Sequence, residues 1–192
     1  MRRPSDPPQL PAQQLLDLPP GPDEGSQRLL VCLRPPRRVQ QLLEDYMSLC
    51  PDLPERGRTV GHRLHLTLLY CPALHTGQVA AIQHELRQVR FESLTLQDFL
   101  PAPWEHGVAA LLPTTQGPLA ALSRQVALAA RRAGVKARPK APGTAHVTVA
   151  RHPAASPRRM PSLRMNWRCD AFEMVHSPAY PRPYETIARY PS

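Results

Sequence analysis

The sequence predicts an α+β fold, rich in antiparallel strands, with helices packed outside the sheets. Three observations carry this. Apolar runs of strand length outnumber stretches with helical spacing. Many neighbouring runs stand too close together for a crossover helix between them. A helical stretch followed by a strand bearing histidine and threonine occurs twice, so the order β-α-β-α-β-β-α-β-β-β contains an approximate duplication.

The elements follow from pattern. Residues 1–25 hold seven prolines and little periodicity, and read as a flexible leader ahead of a single domain over 26–192. Arg28–Leu33 is an apolar run of strand length. Pro35-Pro36 breaks it and opens a helix in which Val39, Leu42, Leu43, Tyr46 and Met47 share one face. A strand spans about Arg63–Tyr70. A second helix covers roughly Gly77–Arg90, with Val79, Ile82, Leu86 and Val89 inward. Glu92–Phe99 and Val108–Leu112 read as strands. Gly117-Pro118 opens a third helix lined by Leu119, Leu122, Val126 and Ala130, which Gly134 ends. A strand follows at about Thr144–Ala150, then a Pro- and Arg-rich loop from His152 to about Asn166. Closing strands fall near Cys169–His176 and Tyr184–Tyr190.

At 192 residues with 42% hydrophobic residues, the chain can bury one sizeable core. The formal charge is +9, and the positive side is nearly all arginine, with Lys136 and Lys140 the only lysines. The leader carries a net −2, so the rest carries +11. A basic, arginine-rich body suits a polyanionic partner, nucleic acid first among candidates. The four cysteines (Cys32, Cys50, Cys71, Cys169) are scattered in mostly apolar surroundings and read as core residues of a reduced, cytoplasmic protein. There is no secretory h-region and no apolar run of membrane-spanning length.

The chemistry concentrates in two short strings. His-Leu-Thr-Leu at 65–68 returns as His-Val-Thr-Val at 146–149. Alternate residues of a strand share a face. His65 and Thr67 therefore point one way, and Leu64, Leu66 and Leu68 the other. His146 and Thr148 pair off likewise against Val147 and Val149. Two such strands facing one cleft set two imidazoles and two hydroxyls around one small group. Imidazole titrates near working pH, so one ring can take a proton while the other gives one. Threonine hydroxyls can donate to phosphate oxygens. His62, three before His65, has no third ligand at metal spacing, so no metal site is expected. Glycine-lysine phosphate loops, G-x-S-x-G and dinucleotide fingerprints are absent from the sequence.

These strings carry a resemblance. With the opening R-L-L-V-C-L-R-P-P, the L-H-L-T-L of Leu64–Leu68, the A-H-V-T-V-A-R of Ala145–Arg151 and an ending around Phe172–Ser177, Tyr184-Glu185 and Tyr190-Pro191, the chain resembles the two-histidine (2H) phosphoesterases. It is most similar to their RNA 2′,3′-cyclic phosphodiesterase branch, also called 2′-5′ RNA ligases. The resemblance spans about Arg28 to Pro191. It implies a bilobal fold of pseudo-twofold symmetry, with a cleft between two antiparallel-rich sheets. It also implies hydrolysis of RNA 2′,3′-cyclic phosphate ends to 2′-phosphates without metal or cofactor, with 2′-5′ joining as the reverse reaction.

By the same resemblance His65 and His146 are the catalytic pair, with His65 as acid at the departing 3′ oxygen and His146 as base for water. Thr67 and Thr148 clamp the phosphate, and Arg151 contacts the nucleotide or phosphate. Tyr184, read from the sequence alone, is a candidate substrate contact or else a core or edge-strand aromatic. Strict alternation would put Arg151 on the face opposite His146, so the strand must bend or end before it. Two positions depart from the pattern. Leu30 and Val31 stand where aromatics are common, and Ala145 replaces a proline. A monomer acting on RNA ends is expected. The rivals are an esterase for a small cyclic-phosphate nucleotide and a module that binds RNA or nucleotide without turnover. Lys136–Lys140 and Arg158-Arg159…Arg164 are candidate guides for an RNA backbone. Trp104 and Trp167 are expected to pack.

Overall fold

A computed structural model of the chain describes residues 26–53, 55–104, 107–139, 145–151, 160–179 and 182–192. The elements are β1 (Gln27–Leu33), α1 (Arg37–Leu49), a short 3-10 turn (Gly61–Arg63), β2 (Leu66–Leu74), α2 (Thr76–Leu86), β3 (Leu94–Trp104), β4 (Val108–Pro113), α3 (Gln116–Arg132), β5 (Arg138–Pro139), β6 (Val147–Arg151), β7 (Leu163–Cys169), β8 (Ala171–His176) and β9 (Glu185–Pro191). The α+β class and the antiparallel pairing match the expectation. The leader, Thr144, Lys140, Arg158, Arg159 and most of the expected 152–166 loop lie outside the described residues.

The strands form one sheet in the order β7-β3-β4-β6-β2-β1-β8-β9, with β5 beside β2. The two separate sheets implied by the resemblance are therefore joined edge to edge. The two four-strand halves meet where β2 pairs with β6 through Leu66 and Val147. About that junction β6 and β2 correspond, as do β4 and β1, β3 and β8, and β7 and β9.

The three helices cover one face of the sheet. Val39, Leu43, Tyr46 and Met47 of α1, Ile82 and Leu86 of α2, and Leu119, Leu122, Val126, Ala129 and Ala130 of α3 pack with Leu66, Leu68, Val147 and Val149 in one buried cluster. Their spacing, three and four residues apart, gives each helix its apolar stripe. Replacing a fully buried leucine such as Leu66 by Ala would cost about 2–5 kcal/mol. The opposite face carries a second, smaller cluster of Leu30, Cys32 and Val175, with Tyr70 and Tyr184 packed against it.

One strand was not anticipated. β7 lies largely inside the expected loop, yet Met165, Trp167 and Cys169 are buried while Arg164, Asn166 and Arg168 are exposed. The period is two, as a one-sided strand requires; its arginines hid the alternation. Trp167 is 1% exposed and stacks on Phe99 at 6.5 Å, so it packs as expected. All four cysteines are free and buried. No helix among the described residues is long and apolar enough to cross a membrane.

Candidate active site

The junction of the two halves is where the two His-Thr strings meet. Leu66 lies directly opposite Val147, and both are fully buried on the helix side. His65 and His146 immediately precede β2 and β6, and one further step of this antiparallel register would set His65 across from Thr148 and Thr67 across from His146. Directly opposed residues of an antiparallel pair share a face. All four side chains therefore project from the face away from the helices, where each is partly exposed. They form a square, with the histidines on one diagonal and the threonines on the other. In a regular ladder such diagonal neighbours stand about 7–8 Å apart, room for one tetrahedral anion between two rings.

Each motif strand then carries a bulge at the same place. Cys32 and Val31 of β1 pair with Thr67 and Leu69, leaving Leu68 as the extra residue. Ala110 and Ala109 of β4 pair with Thr148 and Ala150, leaving Val149 as the extra residue. A bulge adds one residue to one strand and shifts the alternation that follows. Leu68 and Leu69 are consequently both buried on the helix side, as are Val149 and Ala150. Tyr70 and Arg151 return to the cleft face, each five residues past its histidine. This answers the parity problem that strict alternation posed for Arg151: the strand neither ends nor turns away, it bulges. Arg151 pairs with Val108 and is exposed.

The segments leading into the motifs cross over. Arg58 bridges Ala150, the Thr59 N–H donates to the Val149 carbonyl at 2.8 Å, and the Arg151 N–H donates to the Gly57 carbonyl at 2.8 Å. In the other half Arg138 and Pro139 of β5 pair with Tyr70 and Leu69. Each histidine's approach segment thus borders the other histidine's strand. Gly57 has φ +107°, and a Cβ there would overlap the Arg151 carbonyl oxygen. Glycine is required there by both conformation and space.

His65 is held closely. Its Nδ1 lies 2.8 Å from the Arg63 carbonyl oxygen. A carbonyl only accepts, so Nδ1 carries the hydrogen and Nε2 is the acceptor of the neutral ring. Burial lowers the His65 pKa to about 4 against the backbone hydrogen bond, which raises it, and Arg151, His146 and Arg63 lower it further through charge. His65 is therefore neutral at pH 7. The influence of His146 and Arg151 on this ring also places both within electrostatic reach of it.

Tyr184 stands with its ring centroid 5.0 Å from that of His65, nearly perpendicular at 88°. The turn before His65 is tied down on other sides. Glu44 Oε1 accepts the Gly61 N–H at 3.0 Å, and Arg34 donates to the His62 carbonyl at 3.3 Å and to Thr186 Oγ1 at 3.3 Å. Thr186 in turn donates to Glu173 at 3.1 Å.

The structure thus brings His65, Thr67, His146, Thr148, Arg151 and Tyr184 to one face around one junction. Arg164 is exposed on β7, separated from β6 by β3 and β4, and so does not flank the second motif as the sequence order suggested. Lys136 is exposed. Among the described residues no group of three His, Cys, Asp or Glu could hold a metal ion. Sequence reasoning did not single out Tyr70 or Arg63. Tyr70 had a signal, since it and Arg151 both stand five residues past a motif histidine.

Comparison with known proteins agrees on the fold. No family model and no curated protein matches the chain. Among solved structures, Escherichia coli LigT in its apo form is 23% identical, covering 87% of this chain and 98% of LigT, with TM-score 0.73. A protein described only as a phosphoesterase is 21% identical, over 86% and 98% of the two chains, with TM-score 0.74. TT0787 of Thermus thermophilus is 21% identical, over 85% and 97%, with TM-score 0.64. The chain therefore has the fold of these proteins. LigT itself has been crystallised with 3′-AMP, phosphate, NADP+ and ATP.

Proposed function

We propose that the protein is a phosphodiesterase that opens RNA 2′,3′-cyclic phosphate ends to 2′-phosphates in the cytoplasm, without a metal or cofactor. The observation that supports this reading is the Leu66–Val147 pair, whose register would bring His65, Thr148, His146 and Thr67 together on one face of the sheet. In the proposed reaction His146 takes a proton from water, and the water oxygen attacks phosphorus. The bond from phosphorus to the 3′ oxygen breaks as His65 delivers a proton to that oxygen. Thr67 and Thr148 donate to the non-bridging oxygens, where charge grows in the transition state. Arg151 contacts the phosphate or nucleotide from the rim. With the 5′ hydroxyl of a second RNA in place of water, the same steps join two ends through a 2′-5′ linkage.

Taken alone, a neutral His65 with Nε2 as acceptor suits a base, so its role as acid depends on the bound phosphate. An anion bound between the rings favours the protonated imidazole and raises its pKa. The assignment of His65 as acid rests on the resemblance, and it requires that rise. Nucleotide binding by LigT supports a nucleotide ligand, and NADP+ carries a 2′-phosphate, the group that the proposed reaction leaves. ATP and NADP+ as LigT ligands also favour a second reading, hydrolysis of a small cyclic-phosphate nucleotide.

The test is to incubate the protein, with EDTA, with an RNA oligonucleotide ending in 2′,3′-cyclic phosphate and with a mononucleoside 2′,3′-cyclic phosphate. Conversion of the oligonucleotide to a 2′-phosphate end is expected. Conversion of the mononucleotide alone selects the second reading. Binding of both without conversion refutes the enzyme.

A further inference from the structure

We propose that Arg63 and Tyr184 are positioning residues for His65: Tyr184 covers one side of the imidazole against water, and the Arg63 side chain holds Tyr184 in place. The inference rests on His65 being the reactive histidine of the proposed function, and it adds what shields and orients that ring.

The geometry is a closed loop of contacts. The Arg63 carbonyl takes the His65 Nδ1 hydrogen at 2.8 Å. The Arg63 guanidinium lies over the Tyr184 ring, 4.4 Å from its centroid, a cation–π contact. The same guanidinium donates to the Arg182 carbonyl, and to the Pro178 carbonyl at 3.4 Å. Tyr184 closes the loop by standing edge-on to His65 at 5.0 Å. One residue therefore orients the histidine through its backbone and, through its side chain, holds the tyrosine that stands against it.

Tyr184 does not belong to the main core. It rests on the separate cluster of Leu30, Cys32 and Val175 on the cleft face, beside Tyr70. Arginine suits the task of holding it because its planar fork can stack on the ring while its edges reach two carbonyls. Among the described residues, the charged and titratable groups that act on or touch His65 include Arg63, Arg151, His146 and Tyr184.

NMR titration of His65 in the substrate-free protein tests the proposal, with the kcat–KM split on the cyclic-phosphate substrate read alongside. The wild-type ring is expected to titrate near pH 4. Tyr184→Ala should move it toward the free value of ~6.5, because water then reaches the ring. Tyr184→Phe should keep the low value, since the ring and not the hydroxyl does the shielding. Arg63→Lys keeps a charge but loses the fork, and should move the titration upward by less than Tyr184→Ala does. In Tyr184→Ala the kcat should fall roughly tenfold or more while KM changes less, as expected when a reacting group loses its orientation. If Tyr184→Ala does not fold, Tyr184→Leu gives the same reading, with an upward shift expected.

An unchanged His65 titration in Tyr184→Ala, or in Tyr184→Leu, overturns the proposal. So does an upward shift in Tyr184→Phe as large as that in Tyr184→Ala. A protein that hydrolyses no cyclic phosphate but shows the expected titrations would sink the proposed function and leave the clasp standing.

Discussion

The two halves of the sheet share a plan and differ in chemistry. In each, a histidine and a threonine precede a bulge, and a fifth residue past the histidine returns to the cleft face. In the β2 half that residue is Tyr70, set beside Leu30, Val175 and Tyr184. In the β6 half it is Arg151, exposed and paired to Val108. One side of this face is thus apolar and aromatic, and the other presents a cation. The lesson is that a duplicated scaffold supplies the symmetric part of a reaction, two proton-transfer groups and two donors, while the residues just past the bulges break the symmetry. A nucleoside phosphate is itself lopsided, with an aromatic base at one end and anionic oxygens at the other. Under the proposed function, the broken symmetry would give it one way to lie.

The largest effects should come from the shared part. His65→Ala and His146→Ala are each expected to lower kcat about 10²–10⁴-fold, with melting temperatures near wild type, because both rings project from the cleft face and not into the core. Steady-state kinetics with circular dichroism melts checks this, and undiminished turnover in either variant removes that residue from the mechanism.

Thr67→Ala and Thr148→Ala should follow, at about 3–4 kcal/mol each if the hydroxyls act mainly on the transition state. Equal losses would extend the symmetry to the clamp. Unequal losses, read as separate changes in kcat and KM, would show which hydroxyl faces the growing charge.

A smaller effect separates the halves. Gly57 runs along the end of β6 at φ +107°, packed on the Arg151 backbone. Its counterpart beside β2 is the Arg138–Pro139 strand. Gly57→Ala should cost about 1–3 kcal/mol of stability and displace Arg151, raising KM more than it lowers kcat. Urea unfolding and kinetics together read this, and a variant with wild-type stability and KM would show that the crossing segment does not hold Arg151.

Much of this was legible in the sequence, and the reasons are physical. Alternation put His65 with Thr67 and His146 with Thr148 because those stretches are regular up to the threonine. It failed for Arg151 because a bulge depends on the neighbouring strand, here β4, and leaves no mark of its own in the string Val-Ala-Arg. The same event at Leu68–Leu69 concealed Tyr70. β7 was missed because three of its seven residues are arginine or asparagine on the exposed face, which resembles a polar loop until the buried Met165, Trp167 and Cys169 are counted. The helices were easier, since α1 and α3 show their buried stripes directly. Joining of the halves into one sheet could not be read, because it rests on the single pair Leu66–Val147.

The central claim is that both imidazoles flank one anion. Titrating the protein with inorganic phosphate while following the ring resonances of His65 and His146 tests it most directly. The account predicts that both rings respond along one saturation curve at one phosphate per chain, and that His65→Ala weakens the response of His146. Two curves with different midpoints, or a response from only one ring, would contradict it.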